Sequence, residues 1–451
     1  MNFGRKRYLV LGAILSSAWA YGSGFALYEP SAAAHALGGA TLGKAVDPSA
    51  NFVNPATLSD ITNLTVTLGF VTEHPRAKVD VARDGVPVGH RRSLEPGLFW
   101  LPHFMMAMPL PWGFTFGLGG DAEYGLGTKY SGAWPMSWST TETTVQGYVL
   151  TPNISYEITK DWSVGVGLRW LYFDFEQYSK PIAPGDLSSY GLGMQQFGTL
   201  KNHLHGDNDF RSLGWQVGTR YKLLDNLAVG AVYKSAIDVH VKGDSSTSVA
   251  GYNDTLINQI DMLGLSMGMP GIGAAARQKI VAGAREANGD ASAKLTLPQS
   301  ITGGFNWDIT KTVHLGGAVS WTEWSELDSL TFHLPGPDRK TKLKWHDTWR
   351  FAIAPSWDFA EDWTWMVSYI YDMDCTDRHQ ESAMLPPADR HILGTGFTWR
   401  IWKGLECTLS YACIFMAGGV METPDVLGRD FRLETKSGFC HAGGFSVTYR
   451  F

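Results

Sequence analysis

The sequence predicts an all-β protein: a transmembrane 14-stranded antiparallel β-barrel with an N-terminal plug in its lumen. Three observations predict it. A period-two hairpin recurs along the chain, short and long connections alternate strictly, and the two ends read as an export leader and an outer-membrane terminal strand.

The hairpin is clearest over 148–172. Tyr148, Leu150, Ile154, Tyr156 and Ile158 alternate with Val149, Thr151, Asn153, Ser155 and Glu157 up to the polar turn Thr159-Lys160-Asp161. Beyond it Trp162, Val164, Val166, Leu168, Trp170 and Tyr172 alternate with Ser163, Gly165, Gly167 and Arg169. Alternation on both sides of a tight polar turn is the mark of an antiparallel hairpin. The pattern returns around Asp225-Asn226, 308–311, Glu361-Asp362 and Trp402-Lys403. It places strands at 62–72, 98–109, 113–124, 144–157, 162–178, 209–222, 227–243, 292–306, 312–331, 345–359, 363–374, 390–401, 404–416 and 438–451.

The long connections are then 73–97, 125–143, 179–208, 244–291, 332–344, 375–389 and 417–437, and short turns follow every second strand. Outer-membrane barrels have this asymmetry, with short periplasmic turns, long external loops and an even strand number. In the longest loop, 255–287 reads as helical and apolar through Leu256, Ile260, Leu263, Leu265 and Ile280. It is either a cap on the loop cluster or a greasy docking surface.

The ends agree. Arg5, Lys6 and Arg7 precede a short apolar run over 8–17 and the small-x-small site Ala18-Trp19-Ala20, the pattern of a cleaved secretory signal. The last strand alternates Phe445, Val447, Tyr449 and Phe451 with small or polar residues, like the signal that the barrel assembly machinery reads. Mean hydropathy is −0.11, yet aromatics reach 13% and charged residues only 18%, with 18 Trp and 51 Gly. Alternating strands hide their apolarity from an average, so these values suit a barrel. The net charge of −6 gives no reason to expect a nucleic-acid partner. The four cysteines, Cys375, Cys407, Cys413 and Cys440, read as unpaired small apolar residues.

Residues 21–60 do not read as membrane strand. The stretch 31–40 is rich in Ala and Gly, and Asp47-Pro48 and Asn54-Pro55-Ala56 prevent a long regular element. Irregular backbone at membrane depth has to be buried in protein or line a cavity, so this segment is expected as the plug. The domains are therefore a signal at 1–20, the plug at 21–60 and the barrel at 61–451.

Several blocks carry a resemblance. Gly24-Phe25-Ala26-Leu27 with Asn54-Pro55-Ala56, Pro102-His103-Phe104 leading to Tyr124-Gly125-Leu126-Gly127, and Leu297-Pro298-Gln299-Ser300 occur in order. Trp321-Thr322-Glu323-Trp324-Ser325, 345–351 and Leu385-Pro386-Pro387-Ala388-Asp389-Arg390 follow. Together the chain resembles the FadL-like long-chain fatty acid transporters of the Gram-negative outer membrane, a family with a branch for monoaromatic hydrocarbons. The resemblance implies passive diffusion of a hydrophobic small molecule past a plug. Exit would be sideways at a kinked third strand, where Gly119, Gly120, Tyr124, Gly125 and Gly127 lie. It implies no cofactor and no catalysis, a monomer, and outer-membrane lipid and lipopolysaccharide as surroundings.

A fatty acid carboxylate needs a polar partner, and Arg169, Arg220, Lys234, His346 and Arg350 are the candidates. Where the family often carries basic residues near the end of strand five, this chain has Asp174 and Glu176, and His346 stands where Lys is common. These departures favour, as the alternative, an uncharged aromatic hydrocarbon. A general porin or a structural barrel shares the strand signals. His203, His205, Asp207 and Asp209 read as solvated loop rather than a metal site.

Overall fold

The computed structural model describes residues 24–28, 30–88, 92–95, 97–130, 133–188 and 191–451. The signal expected at 1–20 and the first three residues of the expected plug lie outside them. The barrel strands are β1 (Thr65–Arg83), β2 (Phe99–Pro109), β3 (Phe114–Lys129), β4 (Glu142–Thr159) and β5 (Trp162–Ser179). Then come β6 (Met194–Asp207 and Ser212–Leu224), β7 (Leu227–Lys234 and Ile237–Tyr252), β8 (Gly289–Leu297 and Ser300–Asp308) and β9 (Val313–Thr322 and Ser329–His333). The last are β10 (Thr348–Ala360), β11 (Trp363–Asp372), β12 (Ala388–Trp402), β13 (Leu405–Gly418) and β14 (Asp430–Arg450). Each pairs antiparallel with its neighbours, and β14 closes the barrel on β1 from Thr65↔Arg450 to Arg83↔Phe431.

The alternation read from the sequence is an inside–outside code. In β10, Trp349, Phe351, Ile353 and Trp357 face outward while Thr348, Arg350, Ala352 and Ala354 are buried inside. Aromatic side chains cluster at the short-turn end, where Trp363 stacks on Trp399 with ring centroids 5.4 Å apart. Such rings mark a membrane interface.

The fourteen strands occur where the sequence places them, but several reach well into the expected loops. β1 runs on to Arg83 rather than ending at 72, β3 to Lys129 rather than 124 and β7 to Tyr252 rather than 243. β6 begins at Met194 rather than 209 and β14 at Asp430 rather than 438, so His203, His205 and Asp207 lie on a strand and not in a loop. The added rungs pair polar residues such as Lys78↔Ser437 and Asp80↔Glu434. Inward positions such as Ala77, Val79, Val81, Phe431 and Leu433 stay apolar and buried, but beyond the bilayer the outer face no longer needs to be apolar, so the ladder continues without the lipid-facing aromatic and aliphatic stripe.

Residues 30–60 fold inside the barrel as two short helices, α1 (Ala32–Ala36) and α2 (Ala50–Val53), and a 3-10 turn over Pro55–Asp60. Ser31 caps α1 by accepting from the Ala34 amide at 3.1 Å. The strands that face this segment are thinned to glycine where its backbone passes. A Cβ on Gly230 would lie 1.9 Å from the Leu42 carbonyl oxygen, and one on Gly165 would lie 2.4 Å from the Pro55 carbonyl carbon.

In the connection from β7 to β8, the helical expectation resolves as α3 (Asp254–Ser266) and α4 (Ile272–Glu286), packed together as a hairpin.

Candidate functional site

The wall of the barrel is interrupted between β2 and β3. Their ladder runs from Pro109↔Thr115 to Phe104↔Gly120 and stops. Residues 99–103 of β2 then pair only with β1. Beyond Ala122, β3 bulges and stays with β4, and 121–128 are buried on both faces. The strand therefore bends into the lumen. A bridge between Leu94 and Tyr130 and a 2.8 Å bond from the Glu95 amide to the Lys129 carbonyl close the seam again above. What lies between is a gap in the hydrogen-bond ladder, a window filled by the packed side chains of Leu27, Val71, Phe99, Leu101 and Ala122.

The freed edge of β3 is occupied by the start of the described chain. Ala26 bridges Tyr124, the Leu27 amide donates to the Glu123 carbonyl at 2.9 Å, and the Gly125 amide donates to the Phe25 carbonyl at 2.8 Å. Of the residues proposed from sequence for a sideways opening, Gly119 and Gly120 hold the last two paired positions below the window. Tyr124, Gly125 and Gly127 lie on the bent stretch above them.

Three charges hold the bend. Glu123 accepts from Arg169 Nε at 3.2 Å and Nη2 at 2.9 Å, and pairs also with Lys234. Arg169 donates further to the Tyr124 hydroxyl at 3.0 Å and the Ser235 carbonyl at 3.1 Å. Burial of charge requires such pairing, and here it ties β3 to β5 and β7.

Above this cluster Phe25 forms the floor of a wholly apolar pocket. Its walls include Val145, Phe173, Phe175, Val241, Leu327 and Leu343. Phe25 sits against Trp324 and Trp345 with centroids 5.1 and 5.8 Å away. The free space is about 20 Å³, on the order of one solvent sphere, so a ligand enters as side chains shift. Leu330, Phe332 and Met384 line this pocket and also an open groove of about 500 Å³ among the external loops. These three side chains separate the loop groove from the pocket at Phe25, beside the window.

The groove holds a cation that the sequence reading did not single out. Arg339 lies on the short strand Arg339–Lys342, half-buried, with Nη2 3.5 Å from the Ser139 carbonyl. Among the described residues no carboxylate lies within ion-pair distance of it, and burial pushes its pKa down. Arg339 sits in a polar stretch, Pro337-Asp338-Arg339-Lys340, that nothing in the sequence distinguishes from ordinary loop.

The five cations proposed from sequence do not line the apolar pocket. Arg169 and Lys234 belong to the Glu123 cluster. Arg220 pairs with Asp60 at 3.1 Å and donates to the Gly43 carbonyl, fastening the inner segment to β6. Arg350 donates to the Gly38 carbonyl at 3.1 Å and lies over the Tyr28 ring. His346 is exposed, because alternation turns its neighbour Trp345 inward. Asp174 and Glu176 pair with His205 and His203 across the β5–β6 ladder at 3.1 and 2.8 Å.

Asn54, Pro55 and Ala56 act as a local fastening. Asn54 Oδ1 accepts from the Ala56 amide at 3.1 Å. Its Nδ2 donates to the Leu42 and Thr219 carbonyls at 2.7 and 3.1 Å, and Pro55 starts the 3-10 turn. Asn54→Ala leaves two buried carbonyls and an amide short of a partner, so we expect it to loosen the segment by roughly 2–4 kcal/mol. Limited proteolysis of the folded protein checks this: cleavage within 30–60 should accelerate while the barrel stays intact.

Comparison with known proteins adds relatives to this geometry. Residues 13–451 match the family described as outer membrane protein transport protein (OMPP1/FadL/TodX). The long-chain fatty acid transport protein of Escherichia coli K12 is 22% identical over 426 residues, covering 88% of this chain and 89% of that protein. Outer membrane protein P1 of Haemophilus influenzae is 23% identical over 343 residues, covering 71% of this chain and 67% of that protein. Two solved structures share the fold. A Pseudomonas aeruginosa FadL homologue superposes with a TM-score of 0.76 at 21% identity, covering 95% of this chain and 100% of that one. The Pseudomonas putida toluene transporter TodX superposes with 0.66 at 16% identity, covering 93% and 98%.

Proposed function

The chain belongs to this family of outer-membrane transport proteins, and from that premise we propose that it admits long-chain fatty acids to a Gram-negative cell by passive diffusion. Its place is the outer membrane, its cargo is hydrophobic, and it is a transporter rather than an enzyme. A fatty acid enters the loop groove with its carboxylate at Arg339. Its chain passes Leu330, Phe332 and Met384 into the apolar pocket, and each methylene leaving water contributes ~0.8 kcal/mol. Movement of Phe25 then opens the way to the window and the bilayer. Residues 30–60 serve as a plug that leaves no straight aqueous path.

The observation that carries this reading is the Arg339 guanidinium, without a carboxylate in ion-pair distance among the described residues, in the groove that leads past Leu330, Phe332 and Met384 to the apolar pocket. A charged head and a long tail fit that sequence of surfaces. We expect Arg339→Gln to raise the half-saturating concentration of oleate about tenfold, equivalent to ~1.4 kcal/mol, and to leave toluene uptake unchanged. Uptake of the two radiolabelled compounds by vesicles containing the protein checks it. An equal loss of both, or no loss of either, would sink the carboxylate role. A second reading rests on the pocket itself, whose lining is aromatic and aliphatic throughout. That lining equally suits an uncharged aromatic hydrocarbon, and protein-dependent toluene uptake without oleate uptake would favour it.

A further inference from the structure

The hairpin of α3 and α4 is held firmly at its base. Ile257, Ile260, Ile280 and Ala284 are buried, and Ile260 and Ile280 pack with Ala183 and Leu187 of the preceding connection and with Phe197 of β6. Its turn is equally constrained. Gly268 and Gly271 have φ of +74° and +83°, the Met269 amide donates to the Gly264 carbonyl at 2.7 Å, and the Gly273 amide donates to Asp261 Oδ1 at 2.6 Å. A Cβ on Gly273 would lie 2.4 Å from the same carboxylate, so the two helices touch there.

This rigid turn presents apolar side chains outward. Met262 and Leu265 are each 64% exposed, Met267 53% and Met269 42%. No charged residue occurs over 262–276. A contiguous exposed apolar patch of this kind marks an interaction surface. Methionine, unbranched and polarizable, suits a partner without fixed shape. The absence of nearby Lys or Arg at the tip argues against anionic headgroups, which basic residues recognise. The base of the hairpin reaches the ligand groove through Ala287, which lines it.

We propose that the α3–α4 tip docks on the surface of a lipid phase without net charge outside the cell, a zwitterionic bilayer such as phosphatidylcholine, and holds it beside the groove. The proposal rests on the transport reading above. It adds a second contact, with the phase rather than with a single molecule. Insertion is shallow and driven by apolar burial, so it is insensitive to salt.

The test is flotation of the full-length protein in nanodiscs with phosphatidylcholine vesicles. The four-site variant Met262→Ser, Leu265→Ser, Met267→Ser and Met269→Ser changes only exposed positions, and its folding is checked by mobility on unheated gels. The wild-type protein should float with the vesicles at both ~0.1 M and ~1 M salt, and the variant at least tenfold less. Uptake of monomeric oleate should be the same in both proteins, which separates failure of this proposal from failure of the transport reading. Equal flotation of the two proteins would overturn the docking role. So would binding confined to anionic vesicles and lost at high salt. So would an oleate defect in the variant as large as its flotation defect, because the tip would then belong to the groove.

Discussion

Gly230→Val should turn an electrically silent barrel into a conducting one. The Cβ would meet the Leu42 carbonyl oxygen at 1.9 Å and its carbon at 2.6 Å. Both are backbone atoms, which cannot swing aside as the end of a side chain can. The same holds at Gly165 against Pro55 and at Gly316, where a Cβ would lie 2.2 Å from the Ala40 carbonyl oxygen. The strands themselves tolerate the change, since valine favours extended backbone. The segment over 30–60 must therefore leave its seat. Single-channel recording in planar bilayers should show conductance at least tenfold above the wild-type level, on the scale of an open porin. Gly303→Val supplies the control, because nothing lies within 4 Å of a Cβ there. Silence in Gly230→Val with the barrel folded would mean that this segment is not what closes the lumen.

Glu123→Ala should be the most destabilising single change near the window. It leaves buried Arg169 and partly exposed Lys234 without their shared carboxylate. Removing one partner of a buried ion pair costs about 3–5 kcal/mol, because the remaining charge is stranded. Here two are stranded, and they repel. The strand they held inward carries both backbone hydrogen bonds to Phe25 and Leu27, so the floor of the apolar pocket should loosen with it. A lower urea midpoint and reduced oleate uptake together are the expected result, with Glu123→Gln intermediate because it keeps the shape and loses the charge. Unchanged stability and uptake would remove the cluster from the account of the bend.

The strand positions were legible because lipid on one side and a filled lumen on the other impose period two on every spanning segment. Trp349, Phe351 and Ile353 could face only outward. The short turns were legible for the same reason, since polar residues interrupt the pattern. The upper reaches of β1 and β14 were not, because above the bilayer their outward positions turn polar and only inward ones such as Val79, Val81 and Leu433 stay apolar. The bend in β3 was half legible. Gly119 and Gly120 announce a weak point, but what occupies the freed edge lies almost a hundred residues earlier at Phe25 and Leu27. The cations were legible only as inward positions. Whether Arg169 meets a ligand or Glu123 depends on a bulge at Ala122 that shifts register between β3 and β4. Arg339 left no trace, because its isolation is a fact about absent neighbours.

The window carries one more consequence. A strand that parts from its neighbour at membrane depth has bare amide and carbonyl groups, costly in hydrocarbon and open to pairing by any passing chain. At Glu123 and Gly125 those groups are already taken by residues of the same molecule. On the sideways exit proposed above, a greasy solute would pass there without the strand offering a template to another barrel. A shortened chain lacking residues up to Leu27 would lose that protection first, and its failure would be self-association through the slit rather than leakage.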